Sequence, residues 1–324
     1  MQEIHVGIDI SKLTFHSAYK VCNDGKYRSE EREFKNNEVG YKELVLWAGP
    51  KAHFIMEATG LYHVNTAMYL HEKSYTVYVA NPLKIRRFSQ MQFRRSKADK
   101  ADARVESEFS EMNKGRLTAW MPTTKNLAKA RSLLTALKLL RTQNTAKKNA
   151  IQALQLTPDG MEALTQLKAL QKSEQTTILS MEREMIDLVC VSHAEEFNLA
   201  QTIPSIGPKT AAAVILATDG LKSFDTSRQL CAYFGMSPRQ YQSGTSVNGK
   251  GHICKMGNPY IRSLLYICAV SSLRFNKTCR AFYDSLVERG KAKKLALNAV
   301  ANKLLRTLFA VVKNKKSWSI EGAL

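Results

Sequence analysis

Residues 4–10 of the chain read IHVGIDI, an apolar run of strand character that contains an acid near its end. Two more apolar runs of the same kind follow, HFIMEAT at 53–59 and YTVYVAN at 75–81. Between the first run and the second lie two polar-alternating stretches at 13–21 and 27–36, and helical stretches at 37–47 and 62–71 separate the later runs. Three neighbouring strands followed by alternating helix and strand predict a mixed sheet with helices on its faces.

A long helical region begins after Pro122. Apolar residues recur there at steps of four and three, from Leu133 to Leu154 and, beyond the turn TPDG at 157–160, from Leu164 to Leu188. The first of these seams contains the polar residue Asn144. The pattern predicts two coiled-coil helices of about 30 residues, each about 45 Å long, which form either an intramolecular helical hairpin or an oligomerisation arm.

The remainder of the chain is predicted to be mainly α-helical, with helices at 209–218, 226–235, 259–273, 278–289 and 292–312. A loop rich in Gly, Ser and Lys, SPRQYQSGTSVNGKGHICKMGN at 237–258, separates the second helix from the third. Loops of that length in a compact domain are usually functional. We therefore predict three parts, an α/β domain at 1–120, a coiled-coil region at 121–194 and a C-terminal domain at 195–324.

The 324 residues include 48 Lys and Arg against 28 Asp and Glu, a formal charge of +20, and the surplus is concentrated in two blocks. Residues 83–151 contain 17 basic and 5 acidic residues, and residues 195–324 contain 19 and 7. A hydrophobic content of 44% excludes wholesale disorder. Two basic blocks indicate a polyanionic partner that is contacted by two parts of the molecule.

The sequence indicates a cytosolic protein with reduced thiols. No apolar run approaches the roughly 20 residues of a membrane span, and the start of the chain lacks the pattern of a signal peptide. The six cysteines are far apart and form no CxxC pair, so neither a disulfide framework nor a zinc site is predicted.

Four acids stand apart because of where they occur. Asp9 and Glu57 are near the ends of two apolar runs, and Asp99 and Asp102, in KADKADAR at 97–104, would share one helical face. Carboxylates that converge repel one another unless cations neutralise them, and hard oxygen ligands suit Mg²⁺ or Mn²⁺. Two such ions about 4 Å apart can bind the attacking and leaving oxygens of a phosphodiester. Asp9 or Glu57, taken alone, could instead cap a following helix.

Basic residues surround the Asp99 and Asp102 pair. They could form ordinary surface salt bridges, or they could attract phosphate to a metal centre. The residues are Lys84, Arg86, Arg87, Arg94, Arg95, Lys97, Lys100 and Arg104.

Two segments of the C-terminal part could contact DNA. TIPSIGPKTAAAV at 202–214 resembles a helix-hairpin-helix, whose turn and following helix N-terminus can bind a backbone phosphate, although Ser205 occupies the position of the usual first glycine. A plain packing corner between two helices is the alternative. In the long loop, Ser243 has no His or acid nearby in sequence to activate it, so its activation would come from elsewhere, such as metal ions held by the acids.

In this order and at these separations, GIDISK, MEATG, KADKADAR, IPSIGPKTA and FGMSPRQYQSGTSVNGKG resemble the DEDD transposases of the insertion-sequence one-ten family and the related pilin-gene DNA invertases. The resemblance covers essentially the whole chain. It implies a RuvC-like, RNase H-type N-terminal domain, a coiled-coil insertion and a C-terminal transposase domain.

The resemblance also implies a mechanism. Asp9, Glu57, Asp99 and Asp102 would bind Mg²⁺, and Ser243 would attack a DNA phosphodiester to give a covalent phosphoserine before strand exchange. The expected partners are donor and target DNA, a non-coding bridge RNA and further copies of the chain in a dimer or tetramer, in which acids of one protomer meet the serine of another. Candidate nucleic-acid contacts are Arg94, Arg95, Lys97, Lys100, Lys209, Arg239, Lys250 and Lys255.

Three alternatives remain open from the sequence. The chain could be a site-specific invertase of the same family. It could be a metal-dependent structure-specific nuclease, which needs the four acids and not Ser243, or a non-catalytic nucleic-acid-binding module, for which the charge alone would suffice.

Overall fold

A computed structural model describes residues 3–23, 26–58, 60–92, 99–156, 160–239, 242–243, 247–248 and 252–319. For residues 23, 26, 99, 100, 239, 242, 243, 247, 248 and 252 the description covers the backbone. The chain forms two compact units, Met1–Thr123 and Thr124–Leu324.

The N-terminal unit is built on one five-stranded sheet with the order β3-β2-β1-β4-β5. Pairing is antiparallel from β1 to β2 and from β2 to β3, and parallel from β1 to β4 and from β4 to β5, so the predicted mixed sheet is confirmed. The elements are β1 (Ile4–Ile10), β2 (Thr14–Asn23), β3 (Lys26–Lys35), α1 (Glu38–Ala48), β4 (Ala52–Glu57), α2 (His63–Glu72), β5 (Thr76–Ala80), α3 (Pro82–Met91) and α4 (Asp99–Met112).

Helices cover both faces of this sheet because successive side chains of a strand point to opposite faces. On one face, Val6 and Ile8 of β1 are buried in a cluster that includes Leu44 of α1 and Leu70 of α2. On the other face, a smaller cluster joins Ile55 of β4 to apolar residues of α3 and α4, namely Ile85, Phe88, Val105 and Phe109. Gly7 and Asp9 alternate with Val6 and Ile8, which places them on the face that α4 covers.

The C-terminal unit is mainly helical, as the sequence predicts, around a single large core. Its elements are α5 (Lys125–Leu154), α6 (Met161–Ser192), α7 (Ala194–Gln201), α8 (Pro208–Thr218), α9 (Ser227–Tyr233), β6 (Pro238–Arg239), β7 (Gln242–Ser243), β8 (Val247–Asn248), β9 (His252–Ile253), α10 (Pro259–Phe275), α11 (Lys277–Glu288) and α12 (Lys293–Lys313). The long loop of the sequence analysis is thus partly a ribbon of two-residue strands.

The two longest helices pack along each other, and the polar positions of their seams are hydrogen-bonded together. Gln171 Nε2 donates to Asn144 Oδ1 over 3.2 Å, and Asn144 Nδ2 donates to Gln175 Oε1 over 3.1 Å. Lys147 Nζ lies 2.7 Å from Glu174 Oε2. The predicted pair of 30-residue helices is therefore confirmed as 30 and 32 residues, with the polar seam residues satisfied within the chain. An oligomerisation role for this helix pair stays a prediction.

Burial explains the state of the cysteines. All six are free thiols, and Cys231, Cys268 and Cys279 are buried. Burial raises the pKa of the Cys231 thiol to about 11 and raises the pKa of the Cys268 and Cys279 thiols as well. These three thiols therefore stay protonated and act as small core residues, as predicted.

Among the described helices, α12 is long and apolar enough to meet the length and composition criteria of a membrane span. The sequence analysis expects no span. Val300, Leu304, Leu305 and Leu308 of this helix are fully or almost fully buried in the core of the C-terminal unit. A core helix passes the same criteria, and its packing accounts for the apolar character of α12.

The turn between α7 and α8 contains a serine in a conformation that favours glycine. Ser205 has φ +83°, and its buried Oγ has no hydrogen-bond partner among the described residues. A side chain costs about 1–2 kcal/mol in the left-handed region because Cβ approaches the following carbonyl oxygen. The position that the sequence analysis marks as a missing glycine is therefore one where the backbone favours glycine.

We expect Ser205→Gly to raise the free energy of unfolding by about 1 kcal/mol, because it removes the strained Cβ and the unpaired hydroxyl at a modest cost in chain entropy. Ser205→Ala is the matched control, since it removes only the hydroxyl and keeps the strain. Urea denaturation of both variants measures the difference. A glycine variant no more stable than the alanine variant would contradict the strain.

Candidate acidic centre and serine ribbon

The carboxyl ends of two parallel strands bring Asp9 and Glu57 side by side. In the ladder between β1 and β4, Ile8 is paired with Met56, so the next residue of each strand, Asp9 and Glu57, lies at the same level of the sheet. Both side chains are half-buried. The sequence analysis selects these two acids from their positions in the strands, and the register explains why they are neighbours.

Helix α4 brings further acids to this edge, and Gly7 permits its close approach. A Cβ atom at Gly7 would lie 2.0 Å from the carbonyl oxygen of Ala103 and 2.4 Å from the amide nitrogen of Ser107. Ser107 Oγ donates to the carbonyl oxygen of His5 over 2.7 Å, and His5 Nδ1 lies 2.8 Å from Ser110 Oγ. The helix therefore rests directly on the backbone of β1, with Asp102 half-buried near the strand end.

One acid of this cluster, Glu106, is absent from the sequence analysis. Its side chain is 1% exposed, and Oε2 has no hydrogen-bond partner among the described residues. Burial raises the pKa of its carboxyl group well above the usual range, the charges of Asp9, Glu57 and Asp102 raise it further, and a hydrogen bond with the backbone of Ile8 opposes the rise. The signal in the sequence is the spacing of Asp99, Asp102 and Glu106, i, i+3 and i+7 on one helical face.

The pKa of Glu106 connects the acids electrostatically, because three separate carboxylates act on one buried carboxyl group. The structure thus brings together Asp9, Glu57 and Asp102 of the four predicted acids. Asp99 begins α4 one turn before Asp102, and its side chain lies outside the description.

The donors are carboxylate oxygens, which is the ligand type that hard divalent cations take, and one buried oxygen among them has no hydrogen-bond partner in the described part of the chain. Among the side chains that the structure describes, no group of three or more His, Cys, Asp or Glu residues is placed so that it could hold a metal ion.

The predicted basic ring around the acids is only partly described. Arg104 forms a salt bridge with Glu31 of β3. This contact agrees with the first alternative given for the basic residues, an ordinary surface salt bridge. Lys84, Arg86 and Arg87 are exposed on α3. Lys100 is described by its backbone alone, and Arg94, Arg95 and Lys97 lie outside the described residues.

Ser243 lies in the serine ribbon, which we define as the four short strands β6 to β9. Gln242 and Ser243 pair with Asn248 and Val247, and nearer the base of the ribbon Arg239 and Pro238 pair with His252 and Ile253. Both ladders are antiparallel, so β6 and β7 run toward Ser243 and β8 and β9 run back alongside them. The Ser243 side chain lies outside the description.

Close backbone contacts hold the base of the serine ribbon. A Cβ at Gly235, where φ is +71°, would lie 2.6 Å from the carbonyl oxygen of Met256. A Cβ at Gly257, where φ is +151°, would lie 2.4 Å from the carbonyl oxygen of Tyr233. Side chains add to this support, because Arg262 Nη1 donates to the Phe234 carbonyl over 2.9 Å and Asn302 Nδ2 donates to the Met236 carbonyl over 3.2 Å.

A groove of about 1000 Å³ lies beside the ribbon base, lined by Met236, Pro238, Ile253 and one face of α12. Lys303, Arg306 and Lys316 contribute positive charge to it, and none of the described residues that line it is acidic. Lys303 Nζ lies 5.2 Å from the centre of the Phe282 ring. The sequence analysis does not select these cations, because the groove forms only when α11 and α12 pack.

The remaining predicted nucleic-acid contacts differ in their surroundings. Lys209 begins the first turn of α8, but its Nζ lies 3.6 Å from Glu182 of α6, and burial lowers its pKa. Lys255 is exposed at the ribbon base and has φ +60°. The backbone of Arg239 is in the ribbon, and Lys250 lies outside the described residues.

Comparisons with known proteins identify the family. A model described as the transposase IS116/IS110/IS902 family matches residues 198–284, and a transposase model of the DEDD type of IS110 matches residues 6–158. The pilin gene-inverting protein of Moraxella bovis is 28% identical over 325 residues, 98% of either chain. The transposase for insertion sequence element IS1111A of Coxiella burnetii is 34% identical over 128 residues, 38% of this chain and 35% of its own.

The acids at the ends of β1 and β4 and on α4, read with these matches, define a DNA recombinase or transposase enzyme of the DEDD class. The chain belongs to the IS110 family of transposases and recombinases, as the sequence motifs predict. Enzymes of this class generally depend on a divalent metal ion.

We expect Gly7→Ala to lower the free energy of unfolding by about 3 kcal/mol, because the added methyl group overlaps the α4 backbone and the helix must move. Displacement of α4 would also separate Asp102 from Asp9 and reduce metal-dependent DNA cleavage. Gly207→Ala is the control, since an added Cβ there meets nothing within 4 Å and should change stability by less than about 1 kcal/mol. Equal stabilities of the two variants in urea denaturation would refute the close contact.

Proposed function

We propose that the chain is a DNA transposase that cuts and rejoins DNA through a covalent phosphoserine at Ser243. Asp9, Glu57, Asp99 and Asp102 hold Mg²⁺, or Mn²⁺ in its place. The observation that supports this most directly is the register of β1 and β4, which places Asp9 and Glu57 at the same level of the sheet, next to the helix that carries Asp102. Carboxylate oxygens are the ligands that hard divalent cations take.

In the proposed reaction, Ser243 Oγ gives its proton to solvent and forms a bond to phosphorus. The bond from phosphorus to the leaving sugar oxygen breaks, and that oxygen takes up a proton from solvent. The divalent ions that Asp9, Glu57, Asp99 and Asp102 would hold would stabilise negative charge on the attacking and leaving oxygens. The energy of the phosphodiester is kept in the phosphoserine, so a sugar hydroxyl can attack that phosphorus, release Ser243 and reseal the strand without ATP.

The serine ribbon suits this role because close backbone contacts hold its base. The contacts at Gly235 and Gly257 fix the direction of the ribbon, and the groove next to it offers cations for the DNA backbone. Residues 202–214 act as a helix-hairpin-helix on a further backbone phosphate, and the N-terminal domain is of the RuvC type.

The proposed partners are double-stranded donor and target DNA, a non-coding bridge RNA and further copies of this chain in a dimer or tetramer. Acids of one protomer and the serine of another then act on one phosphodiester. The enzyme works in the cytoplasm in association with the nucleoid. A discrete structured RNA that copurifies with the protein is the expected observation.

Site-specific DNA inversion is a second candidate function. The Moraxella bovis relative is named for inverting a pilin gene, and its similarity spans 98% of both chains, whereas the IS1111A transposase matches 38% of this chain. Inversion and transposition share the chemistry proposed for Ser243. Recombination assays on paired inverted sites, compared with assays on an excised element and an empty target, separate the two.

We expect Ser243→Ala to abolish a protein–DNA adduct that survives SDS, because no other group then forms the covalent bond to phosphorus. Ser246→Ala is the control, as it removes a second hydroxyl from the same segment and should keep the adduct. Electrophoresis of labelled DNA after SDS treatment measures both.

Other outcomes of that experiment favour the alternatives. Metal-dependent nicking by Ser243→Ala without an adduct would favour a structure-specific nuclease. If Ser243→Ala and Asp99→Ala both support recombination in cells, the chain is a non-catalytic binding module.

We expect the double variant Lys303→Ala and Arg306→Ala to reduce the salt dependence of DNA binding, lowering the magnitude of the log–log slope by about 1.8, because each lost phosphate contact removes about 0.9. The control combines Lys222→Ala with Arg280→Ala, an equal change of charge at cations that already pair with Asp219 and Asp284. Fluorescence anisotropy over a range of salt concentrations gives both slopes. Identical slopes for the two double variants would exclude the groove as a DNA contact.

A further inference from the structure

The groove beside the ribbon base is long enough for a chain-like ligand. Its floor is one face of α12, because the lining residues from Leu295 to Val311 recur along the helix at steps of three and four. At 1.5 Å per residue this face is about 24 Å long, and the groove has a volume of about 1000 Å³. Compact small-molecule sites reach this volume only at the upper end of their range. The groove therefore has the dimensions of a site for several linked units of a polymer.

Two aromatic side chains from different elements line this groove. Phe282 of α11 and Trp318, in the segment that follows α12, are both partly buried against the core of the C-terminal unit. The Trp318 backbone N–H donates to Thr202 Oγ1 over 2.9 Å, and Lys315 Nζ lies 2.8 Å from Glu195 Oε2. These contacts connect the segment after α12 to α7 and its C-terminal cap, and they keep the Trp318 ring at the groove.

The described lining of the groove is positively charged. Lys303, Arg306 and Lys316 line it, and no described acid forms an ion pair with any of them, whereas Lys315 next to Lys316 pairs with Glu195. No acidic side chain is among the described residues of the lining. Three cations without acidic neighbours attract an anion and favour a ligand with repeated negative charges.

The combination of rings and cations selects among polyanions. The phosphates of a duplex would contact the cations and leave Phe282 and Trp318 unused, because paired bases are stacked inside the double helix. An apolar ligand would leave the three cations without a counter-charge. Unpaired nucleotides satisfy both groups, since each offers a base with a flat aromatic face and a phosphate with a negative charge. The amide groups of Asn298 and Asn314, which also line the groove, can hydrogen-bond the edges of such bases.

The serine ribbon connects this groove to the proposed reaction. Pro238 and Ile253, which pair with each other at the ribbon base, both line the groove. Ser243 follows Pro238 by five residues, so the two are at most about 17 Å apart along the chain. A DNA strand that Ser243 cleaves and exchanges must separate from its complement, so unpaired nucleotides arise close to the groove.

We propose that the groove binds unpaired nucleotides of the DNA strand that leads to the phosphodiester attacked by Ser243. The bases stack on Trp318 and Phe282, and the phosphates contact the three cations of the lining. This inference rests on the proposed function, since it takes the strand from the cleavage at Ser243. It gives the aromatic rings of the groove a ligand, which contact with a duplex backbone does not.

Binding of single-stranded DNA in the presence of EDTA tests the inference without catalysis. Fluorescence anisotropy of a labelled oligothymidylate of about eight nucleotides with the full-length protein gives a dissociation constant, and a blunt-ended duplex gives a second one. We expect Trp318→Leu to raise the first constant about 5-fold or more, as loss of one base stack does, and to leave the second unchanged. Trp318→Phe keeps a ring and should retain most of the binding of the oligothymidylate.

Two further variants and a cross-linking experiment make the result specific. Phe282→Leu should weaken oligothymidylate binding in the same way, whereas Phe275→Leu, the same change at an exposed ring at the end of α10, should not. Melting curves report the folding of each variant. In the unchanged protein, irradiation with an oligonucleotide that contains iodouracil should cross-link the tryptic peptides 281–289 and 317–324, which carry Phe282 and Trp318. This experiment decides the question if a variant fails to fold.

The outcomes separate the inference from the function on which it rests. Unchanged oligothymidylate binding by folded Trp318→Leu and Phe282→Leu, or cross-links only to other peptides, overturns the groove as a site for bases, and the Ser243 adduct is measured independently of it. Equal weakening of oligothymidylate and duplex binding would show a contact with the backbone alone and overturns it too. Tighter, ring-dependent binding of oligouridylate would assign the groove to RNA and overturn the DNA strand as its ligand. Ring-dependent binding of DNA without a Ser243 adduct would overturn the proposed function and leave a single-strand site.

Discussion

The contact between α4 and β1 at Gly7 determines where the acids of the N-terminal unit meet. Any side chain at this position would overlap the helix backbone at Ala103 and Ser107, so the helix can approach only a glycine. Once the helix is this close, hydrogen bonds between Ser107 and His5 and between His5 and Ser110 fix its register along the strand. The positions of Asp102 and Glu106 then follow from helical geometry, because Asp102 precedes Ala103 and Glu106 precedes Ser107 in the helix.

This arrangement places function and stability in opposition. The fold buries one carboxyl group completely and half-buries three carboxylates near it. Burial raises the pKa of Glu106, and the charges of Asp9, Glu57 and Asp102 raise it further. This repulsion acts against the stability of the unit, and in the proposed function a bound divalent ion would offset it. Apolar packing of Ile55, Ile85, Val105 and Phe109 in the layer between sheet and helix opposes the repulsion and holds α4 in place. Strained or repulsive groups supported by a rigid surrounding are typical of active sites.

The sequence predicts the elements of this protein better than the points where they touch. Periodicity finds the strand that carries Asp9 and the helices that carry Asn144 and Gln171, because burial of one face repeats along an element. It does not find Glu106, since an acid within a polar helix reads as solvent-exposed until the helix is known to cross Gly7. Periodicity also misses the two ladders of the serine ribbon, because two-residue strands are too short to show a period. At Ser205 the motif indicates a glycine, and the structure adds the reason, a positive φ.

The fold also changes the meaning of the net charge. Some of the 48 basic residues form ion pairs within the chain, where Arg104 pairs with Glu31 and where Lys209 and Arg141 both pair with Glu182. The electrostatic field of such a cation at a distant phosphate is weak, because the neighbouring carboxylate cancels most of its charge. Salt screens what remains over distances longer than the Debye length. The groove beside the serine ribbon differs, because its described lining contains Lys303, Arg306 and Lys316 and no acid. A polyanion is therefore attracted to places where cations lack acidic neighbours, and the total number of basic residues matters less. For this reason the groove is a stronger candidate contact than Lys209 at the predicted helix-hairpin-helix.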